Sequence, residues 1–237
     1  MVNATALENS GGLIVLKQFI KAIPEDKSVY ILFVSDKVEL QCKQSNVRLV
    51  LVKGVKPICK RFFWDAFGVA RWLKKHAIKP DLSISLQNTN FRTGYKIPNY
   101  IYFHQSIPFA PQKWSPFIKE QRSLWFYKNI YPWFVALFIN NRTSVFVQLE
   151  YIKDGFSKFF RFPRNRIHVI APNIDFLSKG SSEELRLETQ TINLFYPATL
   201  FFYKNHTLLV DVLKRVNSAD FTLYLKLSLI HISEPTR

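Results

Sequence analysis

Two kinds of apolar pattern alternate along the chain. Short runs rich in Val, Ile, Phe and Tyr, bounded by polar or turn residues, occur at 28–36 (SVYILFVSD), 47–54 (VRLVLVKG), 82–88 (LSISLQN), 99–105 (NYIYFHQ), 144–150 (SVFVQLE) and 166–173 (RIHVIAPN). These predict β-strands. Between them lie stretches with apolar residues three and four apart: 12–23, 64–78, about 115–139 and 151–160. These predict helices, and VNATAL before the first of them predicts an initial short strand. Strand, helix, strand in repetition implies crossover units. The fold class is therefore α/β, a mainly parallel sheet with helices on both faces. Ligands in such sheets sit beyond the carboxyl ends of the strands, so the residues that follow each strand carry the functional interest.

The alternation breaks once. FLSKGSSEELRLETQ at 176–190 is polar, with a KGSS turn and clustered charge, and reads as a linker. It then restarts with a strand at 192–198 (INLFYPA), a helix at 205–216 (NHTLLVDVLKRV) and a strand in DFTLYLKL. The expected organisation is a first domain over 1–175, a linker over 176–190 and the truncated start of a second α/β domain over 191–226. Two strands and one helix bury too little to form a core alone.

Composition narrows the class of partner. Apolar residues make up 48% of the 237 and charged residues 21%, which excludes a disordered chain. The net charge is +16, which favours anionic partners: nucleic acid, an anionic membrane face or phosphorylated ligands. Cys42 and Cys59 offer neither metal spacing nor a disulfide framework and suggest a reducing compartment. The first residues lack a basic region ahead of an apolar core, so no signal peptide is expected. Three Asn-x-Ser/Thr sequons, at Asn3, Asn141 and Asn205, are then expected to be chance. The longest apolar patch, Ile130 to Ile139, contains Pro132 and falls short of the roughly 18 residues a span needs. It follows a basic stretch holding Lys119, Arg122 and Lys128, and has two readings, a buried core helix or a segment lying on a membrane surface.

Four stretches carry candidate chemistry. In ENSGGLIVLKQF, Gly11 and Gly12 stand where the first strand hands over to a helix. A glycine pair there lets backbone N–H groups approach an anion, and the helix N-terminus favours it; a plain tight turn is the competing reading. In YIYFHQSIPF, His104 falls at the end of a strand, where an imidazole can donate to a substrate or move a proton, or can be structural. In FYPATLFFYKNH, Lys204 precedes a helix and suits a diphosphate, against the alternative of a solvated lysine. The aromatic and basic segment 112–134 has three readings: core packing of Trp114, Trp125, Phe126 and Trp133, membrane docking, or base stacking on nucleic acid.

Taken in order over residues 1 to about 226, these stretches resemble bacterial glycosyltransferases of family 4. VNATALENSGGLIVLKQFI is similar to the family's first strand, glycine-pair loop and first helix. KPDLSISLQN, YIYFHQSIPF, VFVQLEYIKDGFSKFF, RIHVIAPNID and LFYPATLFFYKNHTLLVDVL follow in the family's sequence of elements. The resemblance implies the GT-B fold: a Rossmann-like acceptor-side domain followed by a nucleotide-sugar donor domain. It implies transfer of a sugar from a nucleotide-diphosphate sugar to an acceptor hydroxyl, usually with retention and with no metal or other cofactor required. Gly11 and Gly12 match the loop near the donor diphosphate and the acceptor, His104 the cleft histidine near the transferred sugar, and Lys204 the lysine that holds the donor phosphates. Two positions depart from the pattern. Pro197, Ala198 and Thr199 occupy the region where many members place an arginine, and Leu149 stands where Ser or Thr is common. The family's paired glutamates, late in the donor domain, have no counterpart here.

The implied partners are a nucleotide sugar and a glycan or lipid-linked acceptor of cell-surface polysaccharide or lipopolysaccharide synthesis. Peripheral contact with an anionic membrane, at the cytoplasmic side of the plasma membrane, accounts for the charge, and no specific nucleic acid is implied. The competing class is a non-enzymatic basic module that binds nucleic acid or an anionic membrane surface. The final stretch, LSLIHISEPTR at 227–237, resembles a translated transposase sequencing adapter. His231 and Glu234 are accordingly left out of functional reasoning. The donor domain is expected to continue for roughly another 100–200 residues, and this chain alone is expected to be inactive.

Overall fold

The computed structural model describes residues 1–40, 42–55, 57–171, 191–198, 202–216 and 220–225. The linker stretch 176–190 and the tail 227–237 lie outside them. The chain divides into two compact units, Met1–Phe117 with Arg122–Ile174, and Ile118–Gln121 with Asp175–Arg237.

The larger unit is built on a sheet of seven strands: β1 (Val2–Asn3), β2 (Tyr30–Ser35), β3 (Val47–Val52), β4 (Ser83–Ser85), β5 (Asn99–Phe103), β6 (Thr143–Val147) and β7 (Ile167–Val169). Their spatial order is β3-β2-β1-β4-β5-β6-β7, and every neighbouring pair is parallel. The order reverses between β1 and β4, which makes this a Rossmann-like α/β sheet with its switch point there.

Alternation along the strands distributes the core between the two faces. On one face, Val2, Leu32 and Val34 pack with Leu16 and Ile20 of helix α1 (Ser10–Lys21). On the other, Ile31, Phe33 and Val52 meet Val69 and Leu73 of α3 (Val69–Lys75). Further along, Ile101, Phe103, Val145 and Val147 meet Tyr131 and Val135 of α5 (Tyr131–Ala136) and Ile152 and Phe156 of α6 (Glu150–Phe160). Fully buried Phe33 makes T-shaped contacts with Trp64 and Trp72, with ring centroids 5.4 and 5.0 Å away.

Three elements differ from the pattern-based expectation. The initial strand is only Val2–Asn3, because Thr5 and Ala6 turn away to bond the Gln87 side chain. The second helical stretch starts earlier, at α2 (Ile58–Phe63), and reaches α3 through a π-helical turn, Trp64–Gly68. The third breaks into α4 (Arg122–Asn129) and α5 around Ile130. Pro132, with no N–H to donate, sits in the first turn of α5, where none is needed. Core packing of the aromatics in this segment is corrected at one position. Trp133 is 76% exposed, whereas Trp114, Trp125 and Phe126 are half-buried.

In the smaller unit, β8 (Ile192–Tyr196) and β9 (Phe221–Leu225) pair in parallel, with α7 (His206–Arg215) between them in sequence. No residue of α7 is buried, and Leu194 and Phe195 of β8 are exposed. One crossover unit covers little of its own apolar surface.

Candidate ligand crevice at the switch point

The strands that flank the switch point end in polar residues that are nonetheless buried. Asn3 at the end of β1, and Ser85, Gln87, Thr89 and Asn90 at and beyond the end of β4, are each at most 5% exposed. Buried polar groups need partners, and here they find one another and a carboxylate. Asp65, in the π-helical turn, accepts from Asn3 Nδ2 at 2.8 Å, from Gln87 Nε2 at 3.1 Å and from Thr89 Oγ1 at 3.4 Å. Arg61, one turn earlier, brings Nε to 3.8 Å from the same carboxylate. Its Nη2 donates to Gln87 O at 2.6 Å and to Thr89 Oγ1 at 2.9 Å. Burial pushes the Asp65 carboxyl up to about 6, against the opposing pull of the Arg61 charge and the three side-chain hydrogen bonds.

Gln87 carries the network across the switch point. Its Oε1 accepts from Ala6 N at 3.0 Å and from Thr5 Oγ1 at 3.2 Å, so the loop after β1 is tied to the loop after β4. The Tyr131 hydroxyl donates to Gln87 O at 3.3 Å from α5.

Asn88 carries it to β5. Its backbone lies in the left-handed region, φ 67°, which is uncommon away from glycine and concentrates at functional sites. That conformation lets Asn88 Oδ1 accept from the backbone N–H of His104 at 2.7 Å. With its oxygen so committed, the amide presents Nδ2 to His104 Nε2, 3.4 Å away. An amide nitrogen only donates, so Nε2 is the acceptor and the ring proton resides on Nδ1. His104 Nδ1 is buried and has no hydrogen-bond partner among the described residues. Burial, reinforced by the Arg61 charge, lowers the imidazole to about 4, so it is neutral at pH 7. The site thus holds a neutral, single-tautomer imidazole with one uncommitted N–H.

Gly11 and Gly12 lie in the first turn of α1, following the loop from β1. Asn9 caps the helix without a side-chain hydrogen bond, and the first turn contains no acid, so its leading N–H groups keep their positive character. The two glycines differ. A Cβ on Gly12 would stand 3.0 Å from Leu7 Cδ2, a packing reason for glycine. A Cβ on Gly11 would meet nothing within 4 Å, so its backbone faces open space.

Lys204 belongs to the smaller unit. It ends the 3₁₀ turn Phe202–Lys204 just before α7, with Nζ 5.5 Å from the Tyr203 ring centroid. Gly11, Gly12 and His104 all stand at carboxyl ends of strands in the larger unit. Among the described residues, no group of three or more His, Cys, Asp or Glu side chains is placed to hold a metal ion.

Arg61, Asp65, Gln87 and Asn88 escaped the sequence reading. A signal existed for two of them: SLQNTN is a polar run continuing directly from an apolar strand. Asp65 sat inside an apolar helical pattern, its register hidden by the π turn. No family model and no curated protein sequence matches the chain.

Proposed function

We propose that the chain is part of a glycosyltransferase that moves a sugar from a nucleotide-diphosphate donor to an acceptor hydroxyl. The observation that carries this reading is His104, held neutral beside the switch point with an uncommitted Nδ1–H. Such a donor suits a hydroxyl of the transferred sugar or the leaving oxygen, and its tautomer needs no reorganisation on binding. The start of α1 supports the reading, because the leading N–H groups of a helix beside an open Gly11 suit a diphosphate. In the smaller unit, Lys204 stands just before α7 and is the residue that the resemblance assigns to the donor phosphates.

A membrane-facing acceptor is part of the proposal. The Phe62 ring of α2 lies 6.0 Å from that of Phe134 in α5 and 6.2 Å from that of Phe138, centroid to centroid, so α2 and α5 meet through these rings. Their outer residues Phe63 and Trp133 are 61% and 76% exposed, on a chain of net charge +16. No described helix is long and apolar enough to cross a membrane. Aromatic residues with basic neighbours suit contact at the headgroup level.

The test is release of nucleoside diphosphate from a panel of nucleotide sugars by the full-length gene product. Turnover that falls by about 10²-fold or more on His104→Ala, with unchanged folding, supports the reading. No turnover from any donor, together with salt-sensitive binding to every polyanion tried, favours the basic-module reading instead.

A further inference from the structure

A second concavity lies at the other end of the same strands. The β4-to-β5 connection, residues 86–98, is a parallel crossover that contains no helix. Crossovers of this kind usually lay a helix on the sheet. Here an irregular loop runs back instead, turning at Gly94 with φ 82°. It leaves a cleft of about 530 Å³ between Ala66 and Ala70 on one side and the end of α5 on the other. That volume is within the range of small-molecule sites.

The lining is polar and one-signed. Arg92 and Lys96 border the cleft, and among the described residues no carboxylate does. Both side chains are exposed. Arg92 lies with its guanidinium carbon 5.4 Å from the Phe138 ring centroid, which holds the fork in place without neutralising it. On the wall stands Ser83, at the amino end of β4. It is 1% exposed, and its Oγ has no hydrogen-bond partner among the described residues. A buried hydroxyl without a partner is costly and calls for an explanation. A ligand oxygen is one.

We propose that this cleft binds a soluble phosphate monoester, with Arg92 and Lys96 on the phosphate and Ser83 at the inner wall. Arginine recognises phosphate oxygens through paired N–H donors, and lysine adds a compact charge. The site is separate from the switch-point crevice, and it does not depend on the glycosyltransferase reading.

The test is titration of the ¹⁵N-labelled full chain with glycerol 3-phosphate, followed by amide resonances. The expected result is saturable shifts at Thr93–Lys96 and Asn140, with those of Asn88 and His104 unmoved. The double variant Arg92→Gln/Lys96→Gln changes exposed side chains and is expected to keep its fold by circular dichroism while binding at least about tenfold more weakly. Ser83→Ala is expected to weaken binding by a smaller factor. The proposal is overturned if those loop amides do not move, if the double variant binds as tightly as the parent, or if only vesicles containing phosphatidic acid engage the loop.

Discussion

Asn88 Oδ1 accepts the backbone N–H of His104 at 2.7 Å, and this one bond fixes which ring nitrogen of His104 carries the proton. It orients the amide, the amide orients the ring, and the unpartnered Nδ1–H follows. Asn88→Gly keeps the left-handed backbone and removes only the side chain. The expected cost in stability is about 1–2 kcal/mol for the lost hydrogen bonds, read from urea unfolding. Long-range ¹H–¹⁵N spectra of the imidazole should show Nδ1–H alone in the parent and a tautomer mixture in the variant. An unchanged single tautomer in Asn88→Gly would mean that something other than Asn88 sets it.

His104 and Asp65 impose opposite pH dependences on stability. Folding lowers His104 from 6.5 to about 4, so its contribution is complete above pH 6.5 and is lost as pH falls from there towards 4. Folding raises Asp65 from 3.8 to about 6, so its contribution is complete below pH 3.8 and is lost as pH rises towards 6. Each is worth at most about 3 kcal/mol, and between pH 4 and 6 they nearly cancel. Urea midpoints, compared as variant minus parent, should separate them. Relative to the parent, His104→Gln should become less stable as pH rises from about 4 to 6.5, where the unfolded parent still holds the His104 proton that the folded parent has released. Asp65→Asn should become relatively more stable as pH rises. Parallel profiles for all three proteins would remove both assignments.

Gly11 and Gly12 separate a packing role from a binding role. At Gly11 a methyl group meets nothing, and alanine suits a helix better than glycine. Gly11→Ala should therefore stabilise the fold by a few tenths to about 1 kcal/mol. Under the proposed function it should also weaken nucleotide-sugar turnover, because the methyl occupies the approach to the helix N–H groups. Gly12→Ala presses on Leu7 Cδ2, the end of a flexible side chain, and its stability change should lie within about 1 kcal/mol of zero. A Gly11→Ala variant that is more stable and fully active would show that the open space at α1 is not used.

The parallel sheet was legible because its strands are short and rich in β-branched and aromatic residues, as in YILFVS of β2 and VRLVLV of β3, and several of them are separated by helical periods. His104 was legible as a site residue because the end of a strand can be read from where the NYIYF alternation stops. What sets its chemistry was not. Asn88 acts through a backbone conformation, and Arg61 and Asp65 act through their alignment against Gln87. Neither leaves a periodic trace. The π turn also shifts the register of the helix, so a strict 3.6-residue period misplaces Asp65 relative to Trp64 and Val69. The core-packing reading fails at Trp133 for a related reason: the break at Ile130 resets the helical phase, and α5 leaves Trp133 facing outward.

That π turn is held by Gly68. Its backbone is ordinary, φ −62°, so glycine is not required there by conformation. It is required by space. A Cβ would fall 2.4 Å from Trp64 Cε3 and 2.9 Å from Cδ2, inside the ring that packs edge-on against Phe33. The indole cannot yield without disturbing that buried contact, and Asp65 follows Trp64 directly in the chain. Gly68→Ala should therefore cost about 1–3 kcal/mol despite alanine's better helix propensity. It should also disturb the bonds from Asp65 to Asn3 and Gln87, which is visible as shifts of their side-chain amide resonances. The control is Gly155→Ala, where the added Cβ would meet Phe109 Cγ at 2.7 Å far from Asp65 in the chain. It should destabilise to a similar extent and leave the Asn3 and Gln87 amides in place. If both variants move those amides alike, the π turn has no specific hold on the crevice.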